Sequence, residues 1–224
     1  MLNPKKHAAE KAVEFIEDGM VVGLGTGSTA YWAIQKIAQR IQEGLRIRAV
    51  ASSRDSEELA NKLGIPIVPF SEIEWIDITI DGADEVDTHL NLIKGGGGAL
   101  VREKILAINS KRFFVIVDES KQVEHLGQFP LPVEIVPFAA NLTMNQLKEL
   151  GCSTRIRMSN DEAYFTDNGN IIVDCNFEKI VKPIELNKQI NLIPGVVDNG
   201  LFTRMVSSLV IGYNDGSTRI IDQH

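Results

Sequence analysis

The chain is short of cysteine. Cys152 and Cys175 are the only two, and neither stands at metal-ligand spacing from another. That excludes a cysteine-based metal site and leaves two reduced thiols in or near a core. Long apolar runs are also lacking. None approaches the ~20 residues a spanning helix needs. The amino-terminal stretch MLNPKKHAAEKAVEF carries charges throughout and has no apolar signal core, so no membrane partner is expected and the cytoplasm is the expected compartment. No strong basic patch offsets a net charge of -7 and a pI near 5.2. An acidic chain repels phosphate at long range, so no nucleic-acid partner is expected, and any anionic ligand must be held by local donors. Repeats and low-complexity segments are absent as well.

What is present is an alternation of elements across 224 residues, a length that suits one large domain with a smaller companion. Asn3 and Pro4 mark a helix start, followed by Ala9, Ala12, Val13 and Ile16 at helical spacing. Met20 to Gly23 reads as a buried strand, Gly23 to Thr29 as a glycine-rich turn, and Ala30 to Ile41 as an amphipathic helix. Strands are predicted at 45–51, 65–69, 76–80 and 113–117, with 91–93 short and extended. Helices are predicted at 57–63 and 99–108. Strand–helix alternation with continuously apolar strands argues for a parallel sheet covered on both faces. The character changes near Phe129-Pro130-Leu131-Pro132. Strands at 133–136, 154–158 and 171–175, helices at 139–150 and 183–190, and a hairpin signal at Asp167-Asn168-Gly169-Asn170 suggest a small antiparallel α+β domain. Strands at 207–212 and 218–221 are expected to rejoin the first domain. The expected fold is therefore α/β. A Rossmann-like, doubly wound, mostly parallel sheet covers residues 1–128 and 203–224, with a smaller ferredoxin-like α+β domain over 129–202.

Ligands of open parallel sheets sit beyond the carboxyl ends of the strands, and three unusual segments fall there. Gly23-Leu24-Gly25-Thr26-Gly27-Ser28-Thr29 succeeds a strand and opens a helix. Its glycines permit close backbone approach, and helix-start amides favour an anion, so it reads either as a phosphate cradle or as a tight turn. It lacks the Gly-Lys-Ser/Thr ending of a Walker loop. As a dinucleotide fingerprint it is partial, because the next strand ends at Ala51 without the acidic residue that would hold a ribose. The second segment, Asp81-Gly82-Ala83-Asp84-Glu85, packs three carboxylates into five residues. They cannot all be buried ionised without partners; a solvated acidic loop is the plainer reading. The third, Lys94-Gly95-Gly96-Gly97-Gly98-Ala99-Leu100, has a high entropy cost on ordering, tolerated where a backbone turns sharply or touches a ligand. Arg102-Glu103-Lys104 come next, on the adjoining helix. Lys121, in Asp118-Glu119-Ser120-Lys121, also lies at a strand end, although a solvated lysine is its simpler reading. None of the four histidines, His7, His89, His125 and His224, lies in these segments.

In order and spacing, these segments resemble the type A ribose-5-phosphate isomerase family. GxGTGST, DGADE, and KGGGGAL with REK after it stand at residues 23–29, 81–85 and 94–104. The likeness runs on through Val115 to Lys121, Pro130 to Glu134, and Pro194 to Phe202. Two departures occur: Ser56 stands where a threonine is expected, and Thr203 to Ser208 replace small and acidic residues, which leaves the packing of the final strands open.

The resemblance implies interconversion of ribose 5-phosphate and ribulose 5-phosphate through an enediolate. It implies Glu103 as the base, Asp81 as the group that handles hydroxyl protons and assists ring opening, and Lys94, paired with Asp84, as the charge near the enediolate oxygens. Gly82, Ala83 and the backbone of Gly95, Gly96 and Gly97 would lie against the sugar. Thr26, Gly27, Ser28 and Thr29, with Lys121 and with Lys5 as a further candidate, would hold the phosphate. No cofactor or metal is implied, and a homodimer or homotetramer is. The alternatives are a sugar-phosphate sensor without catalysis and a nucleotide-dependent transferase or dehydrogenase. A sensor would carry a helix-turn-helix segment, for which the start of the first strand near residue 20 leaves no room.

Overall fold

The computed structural model describes residues 3–223; His224 lies outside them. In chain order the strands are β1 (Val21–Leu24), β2 (Arg48–Ala51), β3 (Ile76–Gly82), β4 (Glu85–Val86), β5 (Leu92–Ile93), β6 (Ser110–Asp118), β7 (Leu131–Ile135), β8 (Ser153–Ile156), β9 (Met158–Ser159), β10 (Glu162–Ala163), β11 (Ile171–Asn176), β12 (Val196–Asn199), β13 (Leu201–Phe202), β14 (Ser208–Gly212) and β15 (Thr218–Asp222). The α-helices are α1 (Pro4–Val13), α2 (Ala30–Gln42), α3 (Arg54–Lys62), α4 (Leu100–Ile108), α5 (Ala140–Glu149) and α6 (Pro183–Asn191).

The chain divides into two compact units. Among the described residues, one holds 3–83, 102–121 and 205–223; the other holds 84–101 and 122–204. Residues 84–101, expected from the sequence in the first unit, fall in the second. Their short strands β4 and β5 pair antiparallel with each other, and β5 pairs with β13, which ties the segment there.

The first unit is built on a six-stranded sheet ordered β15-β14-β6-β3-β1-β2, parallel except for the antiparallel edge strand β15. Counted without that edge, the order is the 2-1-3-4-5 of a doubly wound sheet, with its topological switch point between β1 and β3. An apolar core packs on one face: Val22, Leu24, Ile78, Ile80, Phe114 and Ile116 from the strands meet Ala8, Ala12, Ile34 and Ile37 from α1 and α2. Asn3 caps α1 by accepting from the amides of Lys5 and Lys6, and Pro4 occupies a first-turn position that needs no amide partner. The predicted strand at 65–69 is reduced to a single bridge between Ile67 and Ala49. Pro66 and Pro69 have no N–H to extend a ladder there. At the far end of the chain, Ser207 exchanges bonds with Phe113, and the Ser208 hydroxyl donates to Asp222, so the divergent 203–208 segment delivers β14 to β6 and β15.

The second unit has a four-stranded antiparallel sheet ordered β12-β7-β11-β8. With α5 after β7 and α6 after β11, its chain order is βαββαβ, the ferredoxin-like split unit. Its core gathers Leu131, Val133, Ile135, Leu147, Val173, Ile190 and both cysteines, which are buried thiols. A hairpin of β9 and β10 interrupts the run between β8 and β11. Its turn residues Asn160 and Asp161 both take positive φ, as a two-residue hairpin of matching twist requires. The Asp167–Asn170 turn is pinned by buried Glu134, whose Oε1 accepts from Thr166 Oγ1, Asn168 Nδ2 and Asn170 Nδ2. Among the described residues no helix is long and apolar enough to cross a membrane.

Candidate active site

In the first unit, strand ends β1, β3 and β6 lie side by side with the same polarity, so the loops that leave them gather on one edge of the sheet. The turn after β1 is clamped from beneath. The Gly25 amide donates to Ile80 O at 3.0 Å, and the Thr26 amide donates to Asp81 Oδ1 at 3.0 Å. Asp81 is fully buried, and the same oxygen accepts the Gly82 amide at 2.7 Å. A carboxylate oxygen suits two amide donors because both bonds are charge-assisted. A Cβ on Gly25 would stand 2.6 Å from Asp81 Cα and closer still to its Oδ1. Only glycine fits there, which accounts for that residue in the motif.

The turn's hydroxyls do different jobs. Thr26 Oγ1 lies 2.7 Å from Ser52 Oγ and 2.8 Å from Ser53 Oγ, so that side chain braces the turn against the start of α3. Ser56, the residue expected to be threonine, is buried in the same cluster and donates to Gly25 O at 2.7 Å, which keeps the hydroxyl's function. Gly27, at φ +99°, and Ser28 are exposed, and Ser28 Oγ accepts from Lys5 Nζ at 3.0 Å. Thr29 precedes α2, makes no side-chain cap, and lies against Gly82, where an added Cβ would come within 3.7 Å of Thr29 Cβ. The amides at the start of α2 therefore open beside the end of β3, at the switch point, which is anion-binding geometry. Lys121 is half-buried in the short 3-10 turn after β6. Glu103 stands in the first turn of α4 and is 3% exposed.

In the second unit, Asp84 donates its amide to Ile93 O and accepts the Gly96 amide on Oδ2 at 2.8 Å. A Cβ on Gly96 would stand 2.5 Å from Asp84 Oδ1, so that carboxylate would have to move. Lys94 is buried, with Nζ 5.5 Å from the Phe202 ring centroid, and its amide donates to Gly200 O. Gly95 takes φ +98° and Gly98 φ +84°, conformations that turn the chain back so that the Gly98 amide reaches Gly95 O at 3.0 Å. Gly97 is exposed, and Ala83 is half-buried. Glu85, the third carboxylate of the acidic segment, is structural: it accepts the Gly127 amide at 2.7 Å and the Phe129 amide at 2.5 Å. The solvated-loop reading of residues 81–85 therefore does not hold, since each carboxylate meets backbone amides.

Sequence reasoning passed over Arg157, Asp174 and Tyr164. The Arg157 guanidinium donates to Gly95 O and Gly96 O and pairs with Asp174, while Tyr164 packs its ring against Gly98. The strand register sets Asp174 opposite Arg155, so cross-strand pairing alone would not single out Arg157. Among the described residues no group of three or more His, Cys, Asp or Glu side chains is arranged to hold a metal ion.

Fold and loops define a doubly wound α/β protein whose glycine-rich turns are anchored by carboxylates that accept backbone amides. The family profile of ribose 5-phosphate isomerase A (phosphoriboisomerase A) matches residues 48–216. The chain is 51% identical to ribose-5-phosphate isomerase A of Bacillus mycoides over 217 residues, 96% of this chain and 98% of that protein. Among solved structures, ribose 5-phosphate isomerase A from Methanocaldococcus jannaschii matches with a TM-score of 0.93 and 43% identity over 98% of each chain. A D-ribose-5-phosphate isomerase in complex with phospho-erythronic acid matches with a TM-score of 0.95 and 37% identity, over 99% of this chain and 100% of that one. The chain belongs to the ribose 5-phosphate isomerase A family.

Proposed function

We propose that the protein interconverts D-ribose 5-phosphate and D-ribulose 5-phosphate, in the non-oxidative pentose phosphate pathway, by proton transfer through an enediolate. One observation carries the reading: Asp81, fully buried at the switch point, holds the Gly25–Thr26 turn, in a chain 51% identical over 217 residues to a ribose-5-phosphate isomerase A. The ligand of the relative at 37% identity supports it chemically. Phospho-erythronic acid joins a phosphate to a planar carboxylate, whose two oxygens resemble those of an enediolate.

In this reading Glu103 removes the proton from C2 of the open-chain sugar and returns it to C1. Its burial suits a base that must work out of bulk water. Asp81 handles the hydroxyl protons and assists ring opening. Lys94 and the backbone amides of Gly95 to Gly97 supply positive charge and donors to the developing oxyanion, an electrophilic role that needs no metal. The amides of Gly27 to Thr29 and the hydroxyls of Ser28 and Thr29, with Lys121 and Lys5, hold the phosphate, while Thr26 braces the turn from beneath, and that remote handle positions the reacting carbons. Cytoplasmic residence and assembly as a homodimer or homotetramer belong to the same proposal. Two unbridged thiols accord with the first. Exposed Phe138 and Leu142, at the start of α5, accord with the second.

Glu103→Gln tests the reading. The expected result is a loss of about 10²–10⁴ in kcat, the range of general-base catalysis, with sugar-phosphate binding retained. Near-full turnover would remove Glu103 as the base.

A further inference from the structure

The glycine run of the second unit is braced by a side chain to which the proposed chemistry gives no role. Arg157 spends its donors in two directions. Nε and Nη2 grip the Asp174 carboxylate at 3.1 and 2.5 Å, and Nη1 donates to Gly95 O at 2.8 Å and Gly96 O at 3.1 Å. The side chain comes from the segment between β8 and β9, and Asp174 from β11, so the guanidinium is mounted on the antiparallel sheet rather than on the loop it touches.

These bonds fix two successive peptide planes. In the first, Gly95 O is held by Arg157, and the Gly96 amide, on the opposite edge of a trans peptide, is held by Asp84. In the second, Gly96 O is held by Arg157, so the Gly97 amide is aimed away from the guanidinium, at an exposed residue. Glycines otherwise offer the largest choice of backbone conformations, and this run would be the least ordered part of the unit without an external brace. A cation on the carbonyl side also polarises the peptide and makes its amide a better donor. Tyr164, whose amide bonds Arg157 O, packs on Gly98 and closes the brace.

We propose that Arg157, anchored by Asp174, is a positioning residue for isomerisation: it aligns and polarises the Gly96–Gly97 peptide so that the Gly97 amide donates to the oxyanion of the enediolate. The inference rests on the proposed role of Gly95 to Gly97 as oxyanion donors. A donor of this kind acts on the transition state, so its misalignment lowers kcat and leaves KM nearly unchanged.

The test is steady-state kinetics of Arg157→Ala, Arg157→Lys and Asp174→Asn beside Glu103→Gln, with the folded state of each checked by thermal melting. Arg157→Ala is expected to lose roughly 10- to 100-fold in kcat, with KM within about threefold, and to regain part of that rate when free guanidinium ion is added at millimolar concentration. Arg157→Lys is expected to stay well below wild type, because an ammonium cannot span a carboxylate and two carbonyls. Asp174→Asn, which keeps the guanidinium but loosens its anchor, is expected to lose less. If Arg157→Ala does not fold, the Arg157→Lys and Asp174→Asn kinetics decide. Variants that keep wild-type kcat, or that change KM alone, while Glu103→Gln is inactive overturn the positioning role and leave the site reading standing. Full activity in Glu103→Gln as well overturns both.

Discussion

The two glycine turns, Gly25–Thr29 in one unit and Gly95–Gly98 in the other, are secured by the same device in different settings. Each has an aspartate of the 81–85 segment beneath it: Asp81 accepts the Thr26 amide, and Asp84 accepts the Gly96 amide. Each has a glycine, Gly25 or Gly96, whose Cβ would collide with that carboxylate. The settings then diverge. Gly25 also stands against backbone, 2.6 Å from Asp81 Cα on a central strand, and its turn is braced by short hydroxyls already aligned by β2 and α3. Gly96 is exposed, the atoms nearest a Cβ placed on it belong to the Asp84 side chain, and its carbonyl depends on a long guanidinium from another part of its unit. A turn at the end of a parallel strand inherits order from the sheet. A turn without that support needs side chains to supply it.

The comparison sets an order of expected effects. Lys94→Ala removes the buried cation beside the glycine run, and a loss of about 10²-fold in kcat, larger than the change in KM, is expected for an electrophilic group; a loss in affinity alone would make Lys94 a binding residue. Gly25→Ala forces a methyl against backbone and is expected to destabilise by about 3 kcal/mol in denaturant titration, the upper range of overpacking. Gly96→Ala meets a carboxylate that can swing aside and is expected to cost about 1 kcal/mol. Equal costs for the two alanines would erase the distinction between a sheet-borne turn and a side-chain-borne one. The smallest effect is at the opposite end of β3 from Asp81. Burial alone would raise the Asp77 carboxyl, but bonds from Lys111 and the Val21 amide, with the Lys111 charge, hold it below its ordinary 3.8. A depressed carboxyl stabilises above its unfolded pKa, and that contribution fades as pH falls through the folded one. Asp77→Asn is therefore expected to be less stable than wild type at neutral pH, with the gap closing in acid. A gap independent of pH would assign the loss to packing.

Much of this architecture is legible in the sequence because it is local. GTGST after a buried strand and DGADE after another are strand-end signals, and the first five elements of the βαββαβ unit show in the periodicity of residues 133–190, while its last strand, β12, does not. The apolar strands of the first sheet and the α1 cap are equally plain. The features that escape depend on partners distant in sequence. Nothing near Glu85 announces that it binds the amides of Gly127 and Phe129, or that β5 finds β13 more than a hundred residues later and carries 84–101 into the second unit. Arg157 resembles any of several surface cations, because its two carbonyl acceptors lie some sixty positions earlier. Thr26 reads as a phosphate-binding residue, and its hydroxyl meets serines of the β2–α3 turn.

The most direct measurement is conversion of ribose 5-phosphate by the purified protein after treatment with chelator and with no cofactor added. Sustained formation of ribulose 5-phosphate, approached from either sugar to the same equilibrium, is the predicted result. Tight binding of ribose 5-phosphate without turnover would contradict it and leave a protein that senses the sugar but does not transform it.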